Sequence, residues 1–545
     1  MSLRAANLDR LDGGSFDALV VGAGINGAVS AAALAGRGAD VALIDRGDFG
    51  GFTSQESSNL VWGGFKYLEN YELPLVFGLC RSRNRLMKAY PDNVREIGFL
   101  AALDRSSPYA PWFAALGATA YWAIGLFGTR RPFLYGAEQT KAEEPAIDVT
   151  SVRGAIEYRD AYLVDNDSRF VFAFVRSAIE AGAAAANYVE LVSAERQGDR
   201  WQARLRDSDT GRELTTSART IVNAAGPFVD GLNRQWGLTT EHRIVYSKGI
   251  HLVVPRLTTE QHDRVLAFFD DSQRLFYVIP MGHRSVIGTT DTRVDDPYTA
   301  VTDDDREFLL EQINKRLDLT ASRGGPLTAA DVIAERSGVR PLVVKAGRGR
   351  KDLDTVDWTA LSRKHAVERD DDLAVVTVFG GKLTDCLNVG EEVAAEIERL
   401  GVPLERDLRN WYGEPAKATR AEFYRQAKLM KLDRLRDAPH GVYESLTDRL
   451  WRRYGRRAFE MLEAIRADPR MGEDVLESAD YLRVELYNAA EFEMIVTLDD
   501  FMRRRSKIGL VVPDDTIRAS RGLREVAEIL FGDDAERRLA DYLER

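Results

Sequence analysis

Apolar and polar positions fall into three regimes along the chain. The first opens at Phe16–Val21, an apolar run of strand length. It continues through the turn Gly22-Ala23-Gly24-Ile25-Asn26-Gly27, an alanine-rich helical stretch from Ala28 to Gly36, and a second apolar strand, Val41–Ile44, closed by Asp45. Strand, glycine turn, helix, strand and acid make a complete βαβ dinucleotide-binding unit. The strand-to-small-residue-turn pattern recurs at Thr220–Asp230 and at Leu373–Thr384, the latter opening a helix over 385–400. These returns predict one sheet gathered from distant parts of the chain. In the second regime, from about 240 to 345, the runs Ile250–Val254, Leu275–Ile279 and Ser285–Gly288 alternate as in an antiparallel sheet. From about Arg409 the pattern turns helical, with amphipathic segments predicted over Arg420–Arg436, Leu450–Ala467, Ser478–Val496 and Arg521–Leu543.

The predicted architecture is α/β. A Rossmann-like dinucleotide-binding domain (about 15–105, 150–240 and 340–405) is interleaved with an antiparallel-sheet substrate or cap domain (about 106–149 and 241–339). An all-α domain follows over 406–545. The length of 545 residues exceeds what one core supports. With 45% hydrophobic and 29% charged residues the chain reads as globular, which excludes long disorder. A formal charge of −11 argues against nucleic acid as the main partner. Cys80 and Cys386 are too few for a disulfide framework or structural zinc and fit a reducing cytoplasm. The six histidines (His242, His251, His262, His283, His365, His440) lack metal-ligand spacing, so no metal is expected. Residues 1–15 contain no apolar export core. The uncharged stretch Tyr109–Phe127 is diluted by Pro111, Gly117 and Gly125. It fits a buried or cavity-lining helix first, an interfacial docking surface second and a membrane span last.

In the first turn Gly22 permits the tight bend, Gly24 admits a pyrophosphate to the backbone N–H groups, and Gly27 lets helix and strand pack closely. The helix N-terminus favours anionic phosphates. Asp45, about 20 residues further on, suits a ribose diol. A Ser/Thr-rich loop with Thr53, Ser54, Ser57 and Ser58 follows. The second helix start, after Gly381, suits the partial charge at one edge of a reduced flavin. The candidate cofactor-binding set is Gly22, Gly24, Ile25, Asn26, Gly27, Asp45, Arg46, Thr53, Ser54, Ser57, Ser58, Gly226, Gly381, Lys382, Leu383 and Thr384.

Several motifs resemble the FAD-dependent glycerol-3-phosphate dehydrogenases, in that family's order from about residue 15 to the end. They are the 22–27 turn, Gly36-Arg37-Gly38, Ser57-Ser58-Asn59-Leu60 with Gly63-Gly64-Phe65-Lys66-Tyr67-Leu68-Glu69, and Lys248–Arg256. Gly288-Thr289-Thr290-Asp291-Thr292, Ser337-Gly338-Val339-Arg340-Pro341-Leu342, Phe379–Thr384 and Thr497–Arg505 complete them. The resemblance implies FAD as cofactor and oxidation of sn-glycerol 3-phosphate to dihydroxyacetone phosphate by hydride transfer to flavin. It also implies quinone or oxygen as electron acceptor and, with quinone, peripheral contact with the inner face of the cell membrane. A phosphate dianion needs cations, and Arg340, Lys382 and Lys66 are the candidates. His251 is the candidate base for the hydroxyl proton, since imidazole titrates near working pH. Catalysis is thus assigned to His251, Lys382 and Arg340, and substrate binding to Lys66, Tyr67, Trp62, Arg340 and Lys382.

The chain departs from the family at four places. Trp62 replaces the family's histidine and Lys66 its arginine, Asp385-Cys386-Leu387 replaces Thr-Tyr-Arg, and Ala33 replaces an aspartate. Asp385 suits a helix N-cap. Cys386 reads as a packing residue rather than a covalent flavin link. These changes keep three alternatives open: a tetritol phosphate or other small polyol phosphate as substrate, an amine or amino-acid oxidase of the same fold, and a non-catalytic flavin-binding paralogue. The C-terminal helices leave homodimerisation open, and the Arg503–Arg505 run suits ion pairs, a solvated face or anionic lipid.

Overall fold

In a computed structural model, residues are described except 1, 70, 106, 259–262, 272, 347–363, 405–410, 436–443, 478 and 545. The change of character at Arg409, the 405/406 domain boundary, the helix ends at Arg436 and Ser478, and His262 and His440 lie outside the described residues.

The strand Gly14–Val21 is buried over its last four residues, as expected for a strand covered on both faces in a parallel sheet. It pairs in parallel with Val41–Ile44 on one side and with Glu213–Asn223 on the other. Val375–Phe379 adds in parallel to Glu213–Asn223, and Ala184–Ala186 to Val41–Ile44. The antiparallel edge Ala366–Asp370 and the hairpin Val189–Gln197/Arg200–Asp207 complete eight strands. In this register Val21 faces Asn223 and Asn223 faces Thr377. The turns that follow these three strands therefore meet at one sheet edge. Helix Ile25–Gly36 packs between Asp167–Glu180 and Cys386–Arg399. Its alanines, Ala33 included, are buried, which lets the three helices approach closely.

The second sheet has ten strands. Its order is Thr292–Val294, His242–Pro255, Arg284–Gly288, Leu275–Met281, Arg264–Phe269, Val94–Asp104, Val152–Leu163 and Leu60–Val61. Ala334–Lys345 lies along His242–Pro255, and Phe133–Tyr135 along Val152–Leu163. Val94–Asp104 and Val152–Leu163, grouped by sequence with the dinucleotide-binding segments, thus belong to this second sheet, antiparallel to each other, while Val94–Asp104 runs parallel to Arg264–Phe269. Both are buried almost throughout, so their apolar runs read like parallel strands.

Helix Pro111–Ile124 spans 14 residues, about 21 Å at ~1.5 Å per residue. Among the described residues no helix is long and apolar enough to cross a membrane. The buried-helix expectation for this stretch also fails. Only Ala118 and Tyr121 of the helix are buried, and Trp112, Phe113 and Leu116 face outward.

The C-terminal region is helical, around two apolar cores. The helix expected over Leu450–Ala467 is broken into Leu446–Tyr454 and Ala458–Ala467 at Gly455, whose φ of 54° interrupts the ladder. Lys417–Met430, Arg483–Phe492, Gly522–Phe531 and Ala535–Leu543 are the other main helices among the described residues.

Candidate active site

The glycine turn has the close fit its spacing demands. A Cβ on Gly27 would lie 1.7 Å from the Gly22 carbonyl oxygen, and one on Gly22 (φ 96°) 2.7 Å from that of Ala224. Ile25 N donates to the Ser54 hydroxyl at 3.0 Å, and Asn26 Nδ2 to the Gly380 carbonyl at 2.7 Å. The first turn is thereby tied both to the serine-rich loop and to the last glycine turn. Asn26 Oδ1 is buried with no partner. Asp45 accepts from Ala23 N at 2.6 Å and Gly47 N at 2.9 Å, and burial pushes its carboxyl up to about 6 against these bonds.

A cleft of about 310 Å³ opens between the two sheets. Ile25, Thr53, Ser54, Ser57, Ser58, Gly381, Leu383 and Thr384 line it from the nucleotide side. Trp62, Lys66, Tyr67, His251, Arg340 and Lys382 line the same cleft. Gly22, Gly24, Asn26, Gly27 and Asp45 frame the nucleotide turn rather than line the cleft. Arg46 and Gly226 also stand apart from it. The Arg46 guanidinium lies 3.9 Å from the Phe228 ring centre and donates to the Tyr298 hydroxyl at 2.7 Å. The tight glycine cradle, the orphaned Asn26 oxygen and two helix N-termini at one sheet edge fit the elongated, anionic dinucleotide FAD.

His251 lies mid-strand, 3% exposed, and neither ring nitrogen has a hydrogen-bond partner. Its cross-strand neighbours are Gly288 and Arg336. A Cβ on Gly288 would fall 2.8 Å from the imidazole Cδ2, so glycine is what admits the ring. Burial, then Arg336 and Arg340, hold the imidazole well below its ordinary range. His251 is therefore held neutral, with both ring nitrogens buried and without a protein partner.

Arg340 sits in the middle of Ala334–Lys345. It donates to the Thr290 carbonyl at 3.1 Å and the Thr289 hydroxyl at 2.6 Å, and pairs with Asp291 at 3.5 Å. Its guanidinium fills the space over Gly249, where a Cβ would lie 2.2 Å from Nη2. Lys66 and Tyr67 are on the short turn Phe65–Leu68. Burial raises the Glu69 carboxyl, and the charge of nearby Lys66 works against that rise. The preceding backbone is fixed from below, since Gly63 N donates to the buried Asp160, which also accepts from Arg83 and Tyr121. A side chain at Gly63 would strike the Tyr121 hydroxyl at 2.2 Å. Trp62 packs 5.8 Å from the Tyr67 ring and forms part of the cleft wall.

Asp385 stands at the start of Cys386–Arg399 but makes no side-chain cap bond. Its carboxylate accepts from Ser82 and Asn388 and pairs with His365 at 2.9 Å. The capping expectation therefore gives way to an ion pair. Cys386 is fully buried in the core of the nucleotide domain, outside the cleft lining, and burial pushes its thiol far up.

Sequence reading missed Arg336, Glu56, Arg274 and Asp291. Arg336 bonds the Gln55 carbonyl and Asp167, and Glu56, Arg274 and Asp291 line the cleft. Only the pairing of Ala334–Lys345 with His242–Pro255 reveals that Arg336 stands opposite His251.

Residues 17–395 match the family model described as FAD dependent oxidoreductase, and 410–538 that of the C-terminal domain of alpha-glycerophosphate oxidase. The chain is 30% identical to the glycerol-3-phosphate dehydrogenase of Pseudomonas tolaasii, over 91% of this chain and 92% of that one. It is 29% identical to the aerobic glycerol-3-phosphate dehydrogenase of Escherichia coli strain K12, over 94% and 98%. Among solved structures, the glycerol-3-phosphate dehydrogenase of Bacillus halodurans complexed with FAD superposes with a TM-score of 0.73 at 22% identity, covering 100% of this chain and 97% of that one. The last likeness concerns the fold alone.

Proposed function

The chain belongs to the FAD-dependent oxidoreductases, in the glycerol-3-phosphate dehydrogenase family, and from that premise we propose that it oxidises sn-glycerol 3-phosphate to dihydroxyacetone phosphate. The observation that carries this reading is His251. A neutral, buried imidazole with two unpartnered nitrogens belongs to a residue that lines the same cleft as Arg340, Lys382 and Lys66. Oxidising a secondary alcohol removes a hydroxyl proton and a carbon-bound hydrogen with its electron pair. FAD, when bound, supplies the two-electron acceptor for that hydrogen. The His251 ring nitrogen takes the hydroxyl proton. Arg340 grips the phosphate with its fork, already oriented by Thr289, Thr290 and Asp291. Lys382 and Lys66 add charge on the facing wall, and Tyr67, bonded to Lys382, orients the hydroxyl-bearing carbon. Asn26, Ile25, Thr53, Ser54, Ser57, Ser58 and the 381–384 turn hold the cofactor. Trp62 narrows the wall and sets the chain length accepted.

Electrons leave to a quinone or to oxygen. The quinone route is favoured by an apolar surface beside the cleft. Trp112 (63% exposed), Phe113, Leu116, Leu126, Phe127, Phe133 and Leu134 lie on adjoining elements, with Tyr71, Leu73 and Phe77 next to them. Arg130 is exposed while paired with Glu96 at 3.1 Å, and Arg131 lies over the Phe133 ring. Such a face suits peripheral binding to an anionic bilayer, where quinone dissolves.

The test is anaerobic addition of sn-glycerol 3-phosphate to FAD-loaded protein. Loss of the oxidised-flavin absorbance is expected, followed by its recovery with quinone or oxygen. A tetritol phosphate in the same assay reads the effect of Trp62. Flavin that stays oxidised with every phosphorylated polyol refutes the proposal.

A further inference from the structure

The run Arg503-Arg504-Arg505 is a sequence motif that neither substrate nor cofactor absorbs. It ends the helical turn Asp500–Arg505 of the C-terminal domain and is neither solvated nor exposed to lipid. Arg505, 1% exposed, donates to both carboxylate oxygens of Asp48 at 2.7 and 2.8 Å and to the Glu493 carbonyl. Arg504 reaches Asp48 at 2.7 Å and the Gln55 side chain at 3.3 Å. Arg503 bonds both oxygens of Glu56 at 3.0 Å.

Asp48, Gln55 and Glu56 belong to the segment 48–58, which also carries Thr53, Ser54, Ser57 and Ser58. Apart from the short turn Thr53–Glu56 the segment has no regular structure, so its shape is set by these contacts. From the other side Arg336 donates to the Gln55 carbonyl at 2.5 Å, and Ser57 N donates to Asp167, which Arg336 also bonds. Ser54 in turn receives Ile25 N, the first residue of the nucleotide helix. A continuous chain of bonds therefore runs from the C-terminal domain to the cofactor turn.

The charges agree with this geometry. Burial alone would push the Asp48 carboxyl up, but Arg505 and Arg504 hold it below the usual range. For Glu56 burial prevails and the carboxyl stays raised despite Arg503 and Arg336. Removing either arginine partner leaves a buried carboxylate less compensated, which reshapes the segment around it.

We propose that Arg503, Arg504 and Arg505 are positioning residues for the cofactor. The C-terminal domain clamps segment 48–58 in its FAD-binding shape, although none of its described residues lines the cleft. This inference rests on FAD binding and is independent of the substrate assignment.

The test uses the full-length chain stripped of FAD, with FAD affinity read by quenching of flavin fluorescence and folding by the unfolding midpoint of the apo-protein. Arg503→Gln and Glu56→Gln are each expected to raise the FAD Kd about tenfold, and the double variant no more than the larger single one, since both act through one contact. Arg503→Lys, which keeps the charge, is expected to fall in between. The control is Arg538→Gln, which breaks another contact of this domain, to Asp209 at 2.6 Å. It is expected to leave the FAD Kd unchanged. An unaltered Kd in Arg503→Gln, or an equal rise in Arg538→Gln, overturns the proposal, because the arginines then only hold the domains together. Should Arg503→Gln fail to fold, Arg503→Lys decides by the same criterion.

Discussion

Lys382 Nζ donates a 2.6 Å hydrogen bond to the Tyr67 hydroxyl and sits 4.0 Å from the centre of its ring. This joins the turn after the last parallel strand to the turn that follows the 63–64 glycine pair. Tyr67→Phe removes the acceptor and leaves Lys382 less fixed. Steady-state kinetics are expected to show kcat/KM for glycerol 3-phosphate reduced about tenfold, in line with one charge-assisted hydrogen bond, with FAD content unchanged. Loss of FAD in this variant would instead place Tyr67 in the cofactor site.

His251→Asn should lower kcat by about 10²- to 10⁴-fold, the usual contribution of a positioned base, while FAD still binds. In the intact enzyme the imidazole is held well below its ordinary range, so it remains a competent base below neutral pH. The acid limb of kcat/KM is therefore expected well under the ordinary histidine pKa of about 6.5. A limb at about 6.5 or above would assign the proton to another group.

Gly249→Ala tests the seat of Arg340. The added Cβ would lie 2.2 Å from Nη2, the far end of a flexible side chain, so the fold tolerates it by moving the guanidinium. The expected result is a folded, FAD-containing protein whose KM rises about tenfold with kcat little changed, since a phosphate contact made throughout the reaction is lost.

His365 predicts an alkaline weakness. Burial would lower its pKa, but Asp385 and Glu392, at 2.9 and 3.0 Å, override this and raise it to about 9. A pKa raised above the unfolded value means that the folded state holds the extra proton. The stabilisation is complete below about pH 6.5 and is lost as pH rises through about 9. The thermal midpoint should fall over that window in the wild type and less so in His365→Asn. Parallel profiles would remove His365 as the cause.

Serine at Trp112, Phe113 and Leu116 should abolish co-sedimentation with anionic vesicles while anaerobic flavin reduction by substrate is retained. Vesicle binding that survives the triple change would place the lipid contact elsewhere.

What sequence made legible depended on how local each constraint was. The 22–27 turn could be read because each glycine answers a steric demand from atoms nearby in the fold, and His251 and Lys382 because they lie inside recognisable strings. Arg336 escaped because its role arises from standing opposite His251 across two strands. Glu56 escaped because its partner, Arg503, is 447 residues away. The run Tyr109–Phe127 was misjudged for a different reason. Apolar composition is the same for a helix facing a core and one facing outward, and only the packing of Tyr121 against Asp160 and Arg83 shows which side is inside.

The sheet order has a consequence for how the protein is made. Gly14–Val21 leaves the ribosome some two hundred residues before its parallel neighbour Glu213–Asn223, and Val375–Phe379 follows later still. Parallel pairing over such separations carries a large loop-closure cost and folds slowly. Until those strands emerge, Gly14–Val21 carries an unpaired edge, which is a template for strand addition by another chain.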